Sequence, residues 1–316
     1  MRMRLWIRRL TIGFLTAVAA VVAAAWIASQ TTAVRQWARA RVLTALAEAL
    51  RADVRVGGVG GTLGRSLVLT DVAVATGGRT VLRVARLELT YALLPLLRGH
   101  VLVRRMTLDG PDARLVRDAA GWRLPPAGGD GAESPVSVEI RRLRVRGGRL
   151  AVALLDEPDG GRRLAARTVE VDARVRVAPR GWYVDVERLA LVPRGVAVSP
   201  VAARGRAARD DDGTLRVDGA EVATARSRLT LAGAVRPGNR VEVRLAALPL
   251  VASELGALVP AARPLRSDVH ATLDAAGPWS AVATRVRLAL GAGGSAALDG
   301  RLDLAASPPA YRARVA

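Results

Sequence analysis

Cysteine is missing from the 316-residue chain, which rules out a disulfide framework, a Cys-based zinc site and a thiol nucleophile together. The absence leaves the compartment open, because a large core needs no covalent staples even in an oxidising space. Lysine is missing too: all 48 basic residues are arginine. Aromatics make up only 3% (six Trp, three Tyr, one Phe), so an apolar interior has to be filled by Val, Leu and Ala. So few aromatics also leave little to build the girdles of an outer-membrane barrel. Histidine occurs twice, at His100 and His270, each in a strand-like stretch without a matching ligand set. Both read as structural.

What the chain has in quantity is apolar surface and positive charge. Hydrophobic residues are 51% of the total, more than a disordered chain carries. The 48 basic residues against 28 acidic ones give a net charge of +20. Ala, Gly, Val and Arg share GC-rich codons, so base composition accounts for Arg in place of Lys, though not for the excess of base. That excess reads as attraction to anionic membrane surfaces. Nucleic-acid binding would need arginines grouped with aromatics, whereas these are spread along every strand-like segment.

From Leu10 to Ala28 nineteen residues run without a charge. As a helix this segment is about 28 Å long, close to the hydrocarbon thickness of a bilayer. Arg2, Arg4, Arg8 and Arg9 precede it and the next charge is Arg35, which predicts a cytoplasmic N-terminus and an exported remainder. Ala23 and Ala25 would suit a signal-peptidase site, but the apolar run is longer than a signal core, so the expectation is an uncleaved anchor. Residues 1–30 then form a basic tip and a transmembrane signal anchor. Residues 31–52 form an amphipathic helix, with Trp37, Leu43, Leu46 and Leu50 at near-helical spacing.

Beyond Arg51 the dominant signal is alternation with period two. Its clearest case sets Val169, Val171, Ala173, Val175 and Val177 against Glu170, Asp172, Arg174 and Arg176. Further runs include Leu67–Leu69, Val72–Val74, Leu87–Tyr91, Val136–Ile140, Leu143–Val145, Leu150–Leu154, Trp182–Val186, Val241–Leu245 and Val286–Leu290. Turn signals lie between them: Gly77-Gly78, Asp109-Gly110-Pro111, Gly147-Gly148, Asp159-Gly160-Gly161, Asp212-Gly213, Pro237-Gly238-Asn239 and Gly293-Gly294. The spacing predicts antiparallel neighbours joined by tight turns, since parallel units would need crossover helices. Short helices are expected around Leu93–Leu97 and over Leu250–Val259, the latter between Pro249 and Pro260. The Pro/Gly-rich loop 125–135 separates a first β segment, 53–124, from a second, 136–316. A weak repeat relates Leu229-x-Leu231-x-Gly233-x-Val235 to Ala296-x-Leu298-x-Gly300-x-Leu302. A repeating sheet that stops inside a strand predicts a second segment incomplete at its C-terminus.

Catalytic constellations are not evident. Asp210-Asp211-Asp212-Gly213 lacks the spacing and closing Glu of a calcium loop and reads as a hairpin tip. Gly291-x-Gly293-x-x-Ala296 fits a dinucleotide fingerprint in form only, because an alternating strand follows where a helix N-terminus is required. The Gly57–Gly61 cluster lacks the P-loop lysine. Nothing implies an enzyme, a cofactor or a metal.

The order of several weak motifs resembles the AsmA-like superfamily, in particular its TamB-type translocation and assembly branch. These are Gly61-Thr62-Leu63, Ser66–Val74, Val84–Tyr91, Leu93–Gly99, Met106-Thr107-Leu108-Asp109-Gly110-Pro111, Arg117-Asp118-x-x-Gly121-Trp122-x-Leu124, and Leu248-Pro249-Leu250 with Ala257-Leu258-Val259-Pro260. Such membership implies a mainly β fold: a transmembrane helix followed by an elongated antiparallel repeating sheet curved into a hydrophobic groove. It implies an inner-membrane-anchored periplasmic protein that carries or shields phospholipids and supports outer-membrane biogenesis. The implied partners are phospholipids and the inner membrane, and an outer-membrane barrel reached through a C-terminal region not found in this sequence. An alternative is a scaffold that augments strands of outer-membrane proteins. The residues expected to line the groove are Leu67, Leu69, Leu87, Leu89, Val169, Val171, Val175, Val177, Val184, Val186, Val241, Val243, Val286 and Leu288.

Overall fold

The computed structural model describes residues 53–62, 65–76, 78–92, 95, 100–118, 121–123, 137–155, 162–195, 200–258, 264, 266–291, 293–306 and 310–315. The expected anchor at 10–28, the helix at 31–52, most of the short helix around Leu93–Leu97 and the 125–135 loop lie outside the described residues. Among the described residues no helix is long and apolar enough to cross a membrane.

The described chain is almost entirely strand: β1 (Asp53–Arg55), β2 (Gly58–Gly60), β3 (Ser66–Thr76), β4 (Arg79–Ala92), β5 (His100–Asp109), β6 (Asp112–Asp118), β7 (Gly121–Arg123), β8 (Ser137–Leu154) and β9 (Arg162–Val177). The series continues with β10 (Trp182–Arg194), β11 (Val201–Arg209), β12 (Leu215–Ala223), β13 (Arg228–Arg236), β14 (Arg240–Leu250), β15 (Val269–Pro278), β16 (Val282–Leu290), β17 (Ser295–Asp303) and β18 (Ala310–Val315). The α-helix α1 (Ala252–Leu258) interrupts it within the expected Leu250–Val259 stretch, and a single 3-10 turn (Trp279–Ala281) separates β15 from β16. All eighteen strands belong to one sheet. From β8 to β18 each strand pairs antiparallel with the next. This is the meander that short turns at Asp212-Gly213, Pro237–Asn239 and Gly293-Gly294 dictate.

The N-terminal part departs from the expected antiparallel pattern at one joint. β5 and β6 both run parallel to β8, and they share a single register: His100 faces Ser137, Asp109 faces Arg146, and Asp112 faces Arg149. The pair is therefore one long strand kinked at Gly110-Pro111, lying between β4 and β8. The segment between β6 and β8 carries the chain back, so the parallel pair forms without a crossover helix among the described residues. Two expected turns are thereby corrected. Asp109-Gly110-Pro111 is a kink, and Gly147-Gly148 lies inside the 18-residue β8.

Both sites belong to a seam that crosses the sheet. Asp71 in β3, Gly110, Gly147 and Thr168 in β9 have φ values of 50°, 60°, 60° and 52°. They occupy adjoining positions, since Gly110 donates to the Arg146 carbonyl at 2.8 Å and Gly148 faces Val169. Each left-handed residue shifts the in-out alternation of its strand by one. The apolar positions of β3 accordingly run Leu67, Leu69, then Val72, Val74, and those of β8 run Leu143, Val145, then Leu150, Val152. Irregularities of this kind bend a strand and increase its twist. The seam continues in β10, where register shifts around Glu187, and in β11 and β12 at Gly205 and Gly219. Between β15 and β18 the ladders are unbroken.

Candidate functional site

Register assigns every expected groove residue to one face of the sheet. In β3 and β4, Leu67 pairs with Leu89 and Leu69 with Leu87. Leu87 continues to Leu108 in β5, which lies beside Val145 in β8 and, through it, Val171 in β9. Val175 faces Ile140 on one side and Val184 on the other, Val177 faces Val138 and Trp182, and Ala173 faces Val186. Val169 lies against Gly148. Val241 and Val243 meet Val235 and Gly233, then Gly277 and Ala275. Val286 lies between Leu273 and Leu298, and Leu288 between Ala271 and Ala296. The sheet thus presents an apolar lane crossed by every strand from β3 to β17, excepting the short β7.

The lane is not uniformly covered. At its N-terminal end Leu69, 1% exposed, packs in a cluster with Val56, Val72 and Val84, and Leu67 and Leu87 lie against it. This group is an ordinary core. Further along, most lane residues are half-buried, and Val177 and Leu288 remain 41% and 39% exposed. Trp182, Leu215, Val222, Leu290 and Tyr311 are exposed on the same face. Trp182, already visible in the alternating run it begins, belongs with the candidate residues.

The opposite face is a lattice of ion pairs. Arg144 meets Asp172 at 2.9 Å, Arg285 meets Asp299 at 3.0 Å and Arg206 meets Asp185 at 3.5 Å, each across neighbouring strands. Glu221 accepts from Arg204 at 2.5 and 2.9 Å and lies 3.1 Å from Arg228. The Arg204 hydrogen bonds hold its carboxyl below the usual carboxylate range, helped by the charges of Arg204 and Arg228. Asp212, at the β11–β12 tip, is lowered by the Thr214 backbone N–H at 2.8 Å and then by the Thr214 hydroxyl at 2.9 Å. A hairpin tip is what the Asp-Gly pair encodes there.

A carboxyl lowered in the folded state contributes stability above its unfolded pKa and loses it as pH falls through the folded value. The expected result is that Glu221→Gln lowers the melting temperature at about pH 7 and does so by less at about pH 3, because protonation progressively removes the charge that Arg204 and Arg228 stabilise. Thermal unfolding of the two proteins at both pH values checks this. An equal difference at the two would contradict it.

A polar knot fastens one end of the sheet. Glu254 of α1 is 6% exposed and accepts from the hydroxyls of Thr224 at 2.6 Å and Ser227 at 2.5 Å. The Val251 N–H donates to Ser227 Oγ at 3.0 Å. Buried carboxylates are costly unless hydrogen-bonded, and here the β12–β13 turn supplies the donors.

His100, read as structural, sits opposite Ser137 in the β5–β8 ladder and shares a hydrogen bond with its hydroxyl. Its Nε2 lies 3.6 Å from Glu139. His270 is exposed in β15. Among the described residues no group of His, Cys, Asp or Glu has metal-binding geometry. Comparison of the chain with known protein families, with characterised proteins and with solved structures finds no match.

Proposed function

We propose that the chain is an inner-membrane-anchored, AsmA-like periplasmic protein whose sheet curves into a groove that carries or shields phospholipid acyl chains. The observation that carries this reading is the continuity of the apolar lane together with its incomplete burial. In a closed sandwich two apolar faces interdigitate and exclude water. Here only thirteen hydrophobic residues among those described are buried, for an eighteen-stranded sheet. An exposed lane of Val and Leu in a chain with few aromatics suits flexible hydrocarbon, and each acyl methylene it buries is worth about 0.8 kcal/mol. The N-terminal apolar run supplies the tether, with the N-terminus in the cytoplasm. Mass spectrometry of lipids that co-purify with the full chain is expected to find phospholipid in stoichiometric amount. Protein free of lipid after extraction would remove the basis for the groove.

The outer edge of β18 favours a second reading. Among the described residues β18 pairs only with β17, so the outer edge of this stretch of sheet is open to a further strand, of this protein or another. Such an edge can accept a strand from another protein. On this reading an extended outer-membrane-protein segment cross-links to Tyr311 or Arg314, and the bound lipid is incidental.

A further inference from the structure

The polar face carries an arrangement that neither reading uses. On β5, Val103 and Met106 both lie in the apolar lane, because they face Ile140 and Leu143 of β8. Ile140 and Leu143 are in turn opposite Val175 and Ala173 of β9. Two residues separate each pair where strict alternation allows one. Register shifts mark the places, opposite Thr90 in β4 and opposite Arg174 in β9. The doubled residues are Arg104-Arg105 and Arg141-Arg142, all exposed and all displaced from the apolar side. With Arg174 they set five guanidinium groups along one row of three neighbouring strands.

The local carboxylates do not balance this row. Glu139 meets Arg141 at 3.2 Å, Asp172 divides itself between Arg144 at 2.9 Å and Arg142 at 3.8 Å, and Glu187 binds Arg174. Arg104, Arg105 and the nearby Arg176 have no carboxylate partner among the described residues. Like charges on neighbouring strands destabilise a sheet. Beside the row lies an open depression of about 480 Å³ lined by Arg141, Arg174, Arg176, Tyr183 and the carboxylates Glu139 and Asp185, together with Ile140 and Val175. We propose that the doubled arginines and this depression form a phosphate-binding site on the sheet face opposite the apolar lane. Arginine forks match phosphate oxygens bidentately, which a diffuse positive surface would not require. Tyr183 is the only aromatic at the depression, so a stacking platform for nucleic-acid bases is not built there.

The phosphate belongs either to a lipid headgroup or to a free anion, and the test separates them. Full-length protein in non-ionic detergent is titrated with inorganic phosphate, with dihexanoyl phosphatidylglycerol and with a ten-residue oligothymidylate. Arg104→Gln/Arg105→Gln is expected to weaken binding about tenfold. Arg104→Lys/Arg105→Lys should recover part of the loss, and Arg285→Gln, elsewhere on the same face, should bind as wild type. Binding of inorganic phosphate identifies a free-anion site, and binding of phosphatidylglycerol alone identifies a headgroup site. In a Leu288→Glu background, which removes acyl-chain binding in the lane, the arginine-dependent loss is expected to persist, so failure of the groove does not imitate failure of this site. The proposal is overturned if the double variant binds like Arg285→Gln, or if only the oligothymidylate shows the arginine-dependent loss.

Discussion

Leu288→Glu is expected to strip phospholipid from the purified protein by about tenfold or more while the sheet remains folded. Leu288 is 39% exposed, so a carboxylate there keeps access to water in the empty protein. With an acyl chain in the lane the same carboxylate loses hydration without gaining a partner, which costs several kcal/mol. Val175→Glu, on β9, should do the same far along the sheet and so tests whether the lane is continuous. Leu288→Met, similar in volume and apolar, should retain lipid. Arg285→Gln removes a partner of Asp299 on the opposite face and should also retain it. Quantifying lipid per mole of protein, with circular dichroism as the folding control, decides the matter. If inward and outward substitutions lose lipid equally, the exposed lane is not a binding surface.

The second large effect is expected at the seam. A Cβ on Gly148 would stand 3.2 Å from Pro111 Cγ, from Val169 Cβ and from the Val169 carbonyl oxygen. None of these is the end of a flexible side chain: one is a proline ring and two belong to a paired strand. Gly148→Val should therefore cost about 3 kcal/mol, at the upper end of overpacking penalties. Gly60→Ala is the matched control, because a Cβ there meets nothing within 4 Å and the backbone is not left-handed. Thermal unfolding should separate the two clearly. Equal melting temperatures would mean that the β6–β8–β9 joint relaxes to accept the side chain.

Much of this architecture can be read from alternation alone. The meander from β9 to β18, the tips at Asp212-Gly213 and Pro237–Asn239, and the helix after Pro249 follow from period two and turn chemistry. The face assignment of all fourteen lane residues follows equally, because each stands in an alternating run. The seam does not follow. Gly-Gly and Gly-Pro supply left-handed or kinked backbone whether the chain reverses or merely shifts its alternation, and only the neighbouring strand distinguishes the two outcomes. For the same reason Leu143–Val145 and Leu150–Leu154 read as separate strands, although they are halves of β8. The parallel joint between β5 and β8 depends on contacts between residues 37 apart in sequence, which no local window contains. The arginine doublets were visible as Arg-Arg pairs, but their alignment required that joint.

The seam also determines which genetic changes the chain can absorb. Substitution at an exposed position alters one side chain, but removing one residue at Gly147 takes the extra residue out of β8 while β6 and β9 keep theirs. Leu150 and Val152 would then slip by one residue against Ala113 and Leu115 on one side and Ala166 and Leu164 on the other. Restoring the match would need compensating deletions in the flanking strands, at Gly110 and near Thr168. Length variation should therefore be confined to hairpin tips such as Pro237–Asn239, while the strands that share the seam gain or lose residues only together.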